Sequence, residues 1–159
     1  PDKDVYIMGD SAGGGLALGL VQDFVKNNIT IPKGLILLSP WIDLTMSNPD
    51  IKKYLNKDPL LHVDTLLADA QSWAGDADLN YWKVSPLYGD MKDLPEVLLF
   101  SGTRELLYPD AGLLANKLKE SGVNTTYIIG ENLNHVYPAF PIPEANKALL
   151  KIVEFVKEN

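Results

Sequence analysis

Residues 5–14 read Val-Tyr-Ile-Met-Gly-Asp-Ser-Ala-Gly-Gly, and this stretch decides the fold. Residues 5–8 form a short uncharged apolar run, which predicts a parallel strand buried on both faces. Residues 9–13 then spell the motif G-x-S-x-G. After this turn, apolar side chains recur at helical spacing, at Leu16, Leu20, Phe24 and Val25. A strand, a sharp turn that carries a serine, and a helix together form the context of a nucleophile elbow.

The residue types at this turn suit a reactive serine. A nucleophile elbow holds its serine on strained backbone, so that the hydroxyl projects clear of the sheet. Gly9 and Gly13 are expected to leave room where the strand and the helix pack closely across the turn. Ser11 would stand at a helix N-terminus, where free N–H groups and the helix dipole favour a developing negative charge. The competing interpretation is a glycine-rich turn that contains a serine by chance.

Composition narrows the possible classes of protein. The chain has 159 residues, of which 46% are hydrophobic and 22% charged, and this is typical of one globular domain or a piece of one. A formal net charge of −7 argues against nucleic acid or an anionic membrane as a partner. The absence of cysteine excludes disulfides, thiolate metal sites and a cysteine nucleophile. No stretch has the length of a membrane span and no signal peptide opens the chain, so we expect a cytoplasmic protein without metal or cofactor.

The rest of the chain alternates between strands and helices. Further strands are predicted at residues 35–38, 97–100 and 125–129, and the last of these is more polar and belongs nearer the sheet edge. Helices are predicted over residues 12–27, from Asp110 to Gly122 with an apolar face of Leu113, Leu114 and Leu118, and from Pro143 onward with Leu149, Ile152, Val153 and Val156 on one side. This alternation predicts an α/β class with a parallel sheet.

Residues 41–93 interrupt this pattern. They hold all three tryptophans and several Asp-Pro and Asn-Pro turn signals. Asn48 and Pro49 predict the cap and first residue of a helix that runs to about residue 55. Asp64 is expected to cap a helix over residues 65–73, with Leu66, Leu67 and Ala70 on one face and Gly75 just past its end. We interpret the whole block as a helical insertion over the strand ends.

A serine nucleophile requires a base and an acid that orients the base. In this class of fold the order along the chain is serine, acid, histidine. His62 precedes any later acid and fails this order, so we interpret it as a solvent-facing or helix-start residue. His135 follows the fourth predicted strand by a few residues, at the carboxyl end where ligand groups gather in open α/β sheets. His135 is therefore the candidate base, although a loop histidine is usually only a surface residue.

Two carboxylates follow the third predicted strand, Glu105 and Asp110. Glu105 lies directly after the strand end, as Ser11 and His135 lie after theirs, whereas Asp110 has a competing role as the cap of the next helix. We therefore favour Glu105 as the acid. Its alternative interpretation is an ion pair with Arg104 or a solvated charge.

With these residues in place, the chain resembles the C-terminal half of an α/β-hydrolase of the hormone-sensitive-lipase-like esterase family. The resemblance rests on five stretches in the family's order: residues 9–14, 39–43, 85–88, 102–110 and 135–138. It implies hydrolysis of carboxylic esters through an acyl-enzyme, with Ser11 as nucleophile, Glu105 as acid and His135 as base. It also implies that the backbone N–H of Ala12 is one donor of the oxyanion hole and that the substrate is a small-molecule ester.

The chain departs from the family pattern at its beginning. The family's His-Gly-Gly motif, which supplies the other oxyanion donors, precedes the elbow, and only residues 1–4 precede the first predicted strand here. We therefore expect residues 1–159 to be a partial α/β-hydrolase domain that lacks its N-terminal half and has little or no esterase activity alone. The first strand would have one unpaired edge, which would pair with the missing half or with another copy of the chain.

Two classes of functional alternative stay open at this point. One is a non-catalytic ligand-binding or interaction protein on the same fold, since some plant hormone receptors are similar; such receptors typically lose a member of the triad. The other comprises related hydrolases, namely an amidase, a lactonase or a sugar deacetylase, which a triad alone does not separate from an esterase.

Overall fold

Four parallel strands form one sheet in the computed structural model, which describes residues 4–158. The strands are β1 (Tyr6–Asp10), β2 (Gly34–Leu38), β3 (Glu96–Gly102) and β4 (Thr125–Gly130), and they lie side by side in chain order. All three pairings are parallel, so every strand ends at the same edge of the sheet. The predicted α/β class with a parallel sheet is confirmed, as is the position of the fourth strand at a sheet edge.

Four α-helices connect or flank these strands. They are α1 (Ser11–Lys26), α2 (Val63–Ala74), α3 (Tyr108–Glu120) and α4 (Pro143–Glu158). One face of the sheet packs against α1 and α3 through a cluster that includes Leu18, Val21, Leu37, Leu99 and Leu114. The other face packs against α4 through a second cluster that includes Ile36, Leu98, Phe100, Ala148 and Phe155. Consecutive residues of β2 and β3 belong to opposite clusters, as the two-residue period of a strand requires.

No strand lies between residues 41 and 93, which fold instead around a third apolar cluster that includes Trp41, Ile51, Leu66, Ala70 and Leu106. Asn48 caps the first short helix as predicted, by accepting a hydrogen bond from the Asp50 N–H. This helix is a 3₁₀ helix over Pro49–Lys53, shorter than the predicted one. Two further 3₁₀ helices cover Pro86–Tyr88 and Tyr137–Ala139.

Two predicted helix caps are wrong. His62, not Asp64, is the N-cap residue of α2, and Asp64 lies in the first turn of that helix. Leu107 is the N-cap residue of α3, and Asp110 lies inside the helix. Gly75 does end α2 in the left-handed conformation that favours glycine.

Several apolar residues predicted to face the core are exposed instead. Leu16 and Leu20 of α1 are exposed, and the buried face consists of Ala17, Leu18 and Val21 with three glycines. In α2 and α3 the residues Leu67 and Leu113 face outward. In α4, Leu149, Val153 and Val156 are exposed. The helical period was predicted correctly, and Leu66, Ala70, Leu114 and Leu118 are buried as expected, but several of the residues named in α1 and α4 are exposed.

Strand β1 is less buried than its sequence predicts. Val5, which precedes the strand, is 39% exposed, and Met8 within it is 58% exposed. Within residues 4–158, β1 pairs with β2 alone, so one of its edges carries no ladder hydrogen bonds. No helix in the same range is long and apolar enough to cross a membrane.

Candidate active site

The turn between β1 and α1 has the geometry of a nucleophile elbow. Ser11 is the first residue of α1 and has a φ of 49°, in the left-handed region that a serine rarely adopts. A Cβ on Gly9 would overlap the carbonyl group of Gly13, so the strand and the helix approach too closely for any side chain there. The expected role of Gly13 is wrong, because a Cβ at Gly13 would meet nothing within 4 Å. What Gly13 contributes to the close approach is its backbone carbonyl.

Two further glycines bring α1 against the chain that leaves β2. A Cβ on Gly14 would lie 2.7 Å from Pro40 Cβ, and one on Gly15 would overlap the Trp41 carbonyl oxygen. This close approach allows the Trp41 N–H to donate a hydrogen bond of 2.8 Å to the Ser11 carbonyl oxygen. The first turn of α1 is therefore fixed to its neighbour by backbone contacts.

The structure brings together the three side chains that the sequence singled out. His135 Nε2 lies 2.9 Å from Ser11 Oγ, and His135 Nδ1 lies 2.5 Å from Glu105 Oε2. The other carboxylate oxygen of Glu105 accepts a hydrogen bond of 2.9 Å from the Gly102 N–H. Glu105 is fully buried, and His135 is only 7% exposed. The imidazole is thus held between a hydroxyl and a carboxylate, with one ring nitrogen on each.

The competing candidates lie elsewhere. His62 is exposed at the start of α2. The Glu105 carboxylate is paired with His135 instead of Arg104, whose side-chain Nε contacts the Lys57 carbonyl oxygen at 3.4 Å. Asp110 accepts a hydrogen bond from the Asn48 side chain at 2.7 Å.

Two ionisable groups near the site have perturbed pKa values. Burial raises the pKa of the Asp110 carboxyl to about 6, with a further contribution from the negative charge of Asp43 and an opposing one from the Asn48 hydrogen bond. Burial also raises the pKa of the Tyr137 phenol, and the negative charge of Glu105 raises it further. Among residues 4–158, no group of three or more histidine, aspartate or glutamate side chains could hold a metal ion.

An apolar pocket of about 520 Å³ adjoins the elbow. Its walls include Ala12, Leu16, Trp41, Trp73 and Val84. Leu16, one of the apolar residues at helical spacing in α1, is exposed because it lines this pocket and does not pack against the sheet. The sequence did contain a signal, because Leu16 lies four residues after Ala12 and so on the same side of α1 as the elbow.

Three features are typical of an α/β hydrolase: the nucleophile elbow, the chain order serine, acid, histidine, and the position of all three residues at the edge where the parallel strands end. Residues 1–139 match the family model described as alpha/beta hydrolase fold. Because this match covers most of the chain, the chain belongs to that family. Its relatives of known sequence include proteins named esterase, acetyl-hydrolase and triacylglycerol lipase.

Similar proteins of known sequence or structure include several bacterial esterases. An esterase of Acinetobacter venetianus is 32% identical over 156 residues, which are 96% of this chain and 52% of that protein. The crystal structure of an esterase/lipase from an uncultured bacterium superposes with a TM-score of 0.91 at 33% identity and covers 96% of this chain and 52% of that one. An esterase of the bacterial hormone-sensitive lipase family gives a TM-score of 0.93 at 29% identity, with coverage of 96% and 52%. This chain therefore spans about half the length of each of these relatives.

Proposed function

We propose that this chain carries the catalytic residues of a carboxylic ester hydrolase that works through an acyl-enzyme. The observation that carries the proposal is the continuous line of contacts from Ser11 Oγ to His135 Nε2 at 2.9 Å and from His135 Nδ1 to Glu105 at 2.5 Å. The names of the relatives support an ester as the substrate class.

In the first half of the reaction, Ser11 Oγ attacks the ester carbonyl carbon while His135 Nε2 takes the hydroxyl proton. The buried carboxylate of Glu105 holds the imidazole in the tautomer that leaves Nε2 free to accept, and it stabilises the imidazolium that forms. The tetrahedral intermediate then expels the alcohol, which receives the proton from His135. The product is an acyl group on Ser11.

In the second half, a water molecule replaces the alcohol. His135 accepts a proton from this water as its oxygen attacks the acyl carbon, and the proton passes to Ser11 Oγ when the acid product leaves. The negative oxygen of each tetrahedral intermediate requires donors. The N–H of Ala12 is in the first turn of α1, where N–H groups have no acceptor within the helix, so it can serve as one such donor. The adjoining apolar pocket accommodates an apolar part of the substrate.

We further propose that full activity requires protein surface beyond these 159 residues. Within residues 4–158, one edge of β1 has no partner strand, and the apolar side chains of Val5, Met8, Leu16 and Leu20 are exposed. An apolar strand edge of this kind pairs readily with another chain. A further part of the same fold, of the length by which the relatives exceed this chain, would cover it, and a second copy of the chain is the alternative partner.

An active-site-directed phosphonate tests the proposed function. In the natural full-length protein, a p-nitrophenylphosphonate ester should label Ser11, and the Ser11→Ala variant should take no label. A series of p-nitrophenyl esters of increasing acyl length, assayed beside the corresponding anilides, then separates an esterase from an amidase. A folded protein that takes no label and turns over neither series contradicts the proposal and favours a non-catalytic binding protein.

A further inference from the structure

The chain that leaves β2 contacts the backbone beside each of the three proposed catalytic residues. We call residues 39–58 the β2 segment. Its first contact is the hydrogen bond from the Trp41 N–H to the Ser11 carbonyl oxygen. The other two contacts come from the side chains of Ser39 and Asp58. Ser39 lies in a stretch that resembles the family, and Asp58 precedes Pro59 in an Asp-Pro turn signal.

Ser39 holds the loop that carries His135. Its Oγ accepts a hydrogen bond of 2.9 Å from the N–H of Val136, the residue directly after His135. Ser39 is fully buried, and its own N–H donates to the Phe100 carbonyl oxygen at 2.7 Å, so its backbone is anchored to β3. Ser39 and Val136 have φ angles of 48° and 53°. A β-branched residue such as valine persists in the left-handed region only when its surroundings hold it there.

Asp58 holds the loop that carries Glu105. Its Oδ2 accepts a hydrogen bond of 2.8 Å from the N–H of Leu106, the residue directly after Glu105. Its Oδ1 accepts from the N–H groups of Leu60 and Leu61 at 2.8 and 2.9 Å. The Asp58 side chain is buried, so these hydrogen bonds to a carboxylate are shielded from water and stronger than neutral ones.

We propose that Ser39 and Asp58 are positioning residues, which act on catalysis by fixing the loops that carry His135 and Glu105. The proposal rests on the proposed function only for its effect on turnover. Each hydrogen bond lies one residue from the side chain it fixes, and all three catalytic loops are fixed to one continuous segment. A catalytic arrangement requires placement to within about 0.5 Å, and a misplacement of about 1 Å can lower the rate about 100-fold.

The test compares two substitutions with two controls in the natural full-length protein. Ser39→Ala removes the hydroxyl, and Asp58→Ala removes both carboxylate oxygens, including the one that accepts from the Leu106 N–H. Ser47→Ala and Asp50→Ala make the same chemical changes at exposed positions of the β2 segment. If Ser39→Ala does not fold, Ser39→Gly takes its place, because glycine adopts the positive φ of this position without strain. If the Asp58 variant does not fold, Asp58→Ser takes its place, because the shorter serine side chain keeps an acceptor at the turn without reaching Leu106.

Two measurements are made on each variant. The first is the downfield proton resonance of His135 Nδ1, which reports the short bond to Glu105 without requiring turnover. The second is ester hydrolysis, with kcat expressed per active site titrated by the phosphonate and with KM determined separately. We expect both Ser39 and Asp58 variants to shift or broaden the resonance and to lower kcat about 10- to 100-fold with little change in KM, while both controls match the unsubstituted protein.

Three other outcomes are decisive. A resonance and a kcat per titrated site that stay unchanged in both variants overturn the positioning role. A loss of rate that disappears after active-site titration also overturns it, because the substitutions would then only unfold part of the sample. If the unsubstituted protein neither hydrolyses esters nor reacts with the phosphonate, the proposed function fails, and the resonance alone still decides whether Ser39 and Asp58 position His135.

Discussion

The buried carboxyl of Asp110 makes the stability of this protein depend on pH. Asp110 is 1% exposed, and its Oδ2 has no hydrogen-bond partner among residues 4–158. Its Oδ1 accepts a single hydrogen bond, from Asn48. Burial therefore disfavours the ionised form and raises the pKa from 3.8 to about 6. The substitution Asp110→Asn removes the ionisable group while it keeps the size of the side chain and an oxygen that can accept from Asn48.

The sign and size of the effect follow from linkage between protonation and folding. Because the folded-state pKa is raised above the unfolded value of 3.8, the stabilising contribution is fully present below that value and is lost as pH rises through about 6. A difference of roughly two pKa units corresponds to about 3 kcal/mol at pH values above both. We expect the free energy of unfolding of Asp110→Asn, relative to the unsubstituted protein, to increase by about 2.5 kcal/mol between about pH 4 and about pH 8.

Urea unfolding followed by tryptophan fluorescence measures this difference at each pH. The matched control is Asp64→Asn, because Asp64 also lies in the first turn of a helix but is exposed. Asp64→Asn makes the same chemical change at an exposed position, so a trend with pH that both variants share would not be caused by the burial of Asp110. A stability difference for Asp110→Asn that stays constant across the same pH range would refute the reasoning.

The remaining predictions concern catalysis, packing and the extent of the chain. In the full-length protein, Ser11→Ala and His135→Ala should lower kcat about 10⁶-fold and Glu105→Gln about 10⁴-fold in steady-state ester assays. A loss in Asp110→Asn equal to that in Glu105→Gln would reassign the acid. Thermal unfolding should show that Gly112→Ala stabilises the protein by about 1 kcal/mol, because Gly112 lies in a helix and its Cβ would meet open space. Gly15→Ala should be strongly destabilising, because its Cβ would overlap the backbone of Trp41. The purified 159-residue chain should show little turnover of a short-chain ester and should self-associate in sedimentation; a fully active monomer would contradict the proposed need for further surface.

The sequence predicted the sheet and the elbow because both depend on local patterns. An apolar run, a glycine-rich turn and a helical period lie within 20 residues of one another, and each has a characteristic composition. The same holds for the parallel order, since strands that alternate with helices must cross over. The chain order of the candidate residues then selected His135 over His62 without any knowledge of distances.

The sequence predicted the helix periods and most of the buried apolar residues of α2 and α3, but it misjudged which side of α1 faces the sheet. In α1 it favoured Leu16 and Leu20, whereas the sheet packs against Ala17, Leu18 and Val21. The reason is that close packing of α1 on the strands requires small residues, which a hydrophobicity pattern undervalues. In such a helix, the large apolar residues lie on the other side, where they line a pocket or are exposed.

The tertiary structure determined which of the candidate residues lie next to one another. The sequence placed Ser11, Glu105 and His135 at strand ends, but only the parallel register brings their side chains, up to 124 residues apart, within hydrogen-bond distance. Likewise, no local pattern predicts that Ser39 contacts the backbone after His135. A hydrogen bond between distant segments depends on how their loops pack, and the whole fold determines that packing. Secondary structure, in contrast, depends mainly on residues that are neighbours in the sequence.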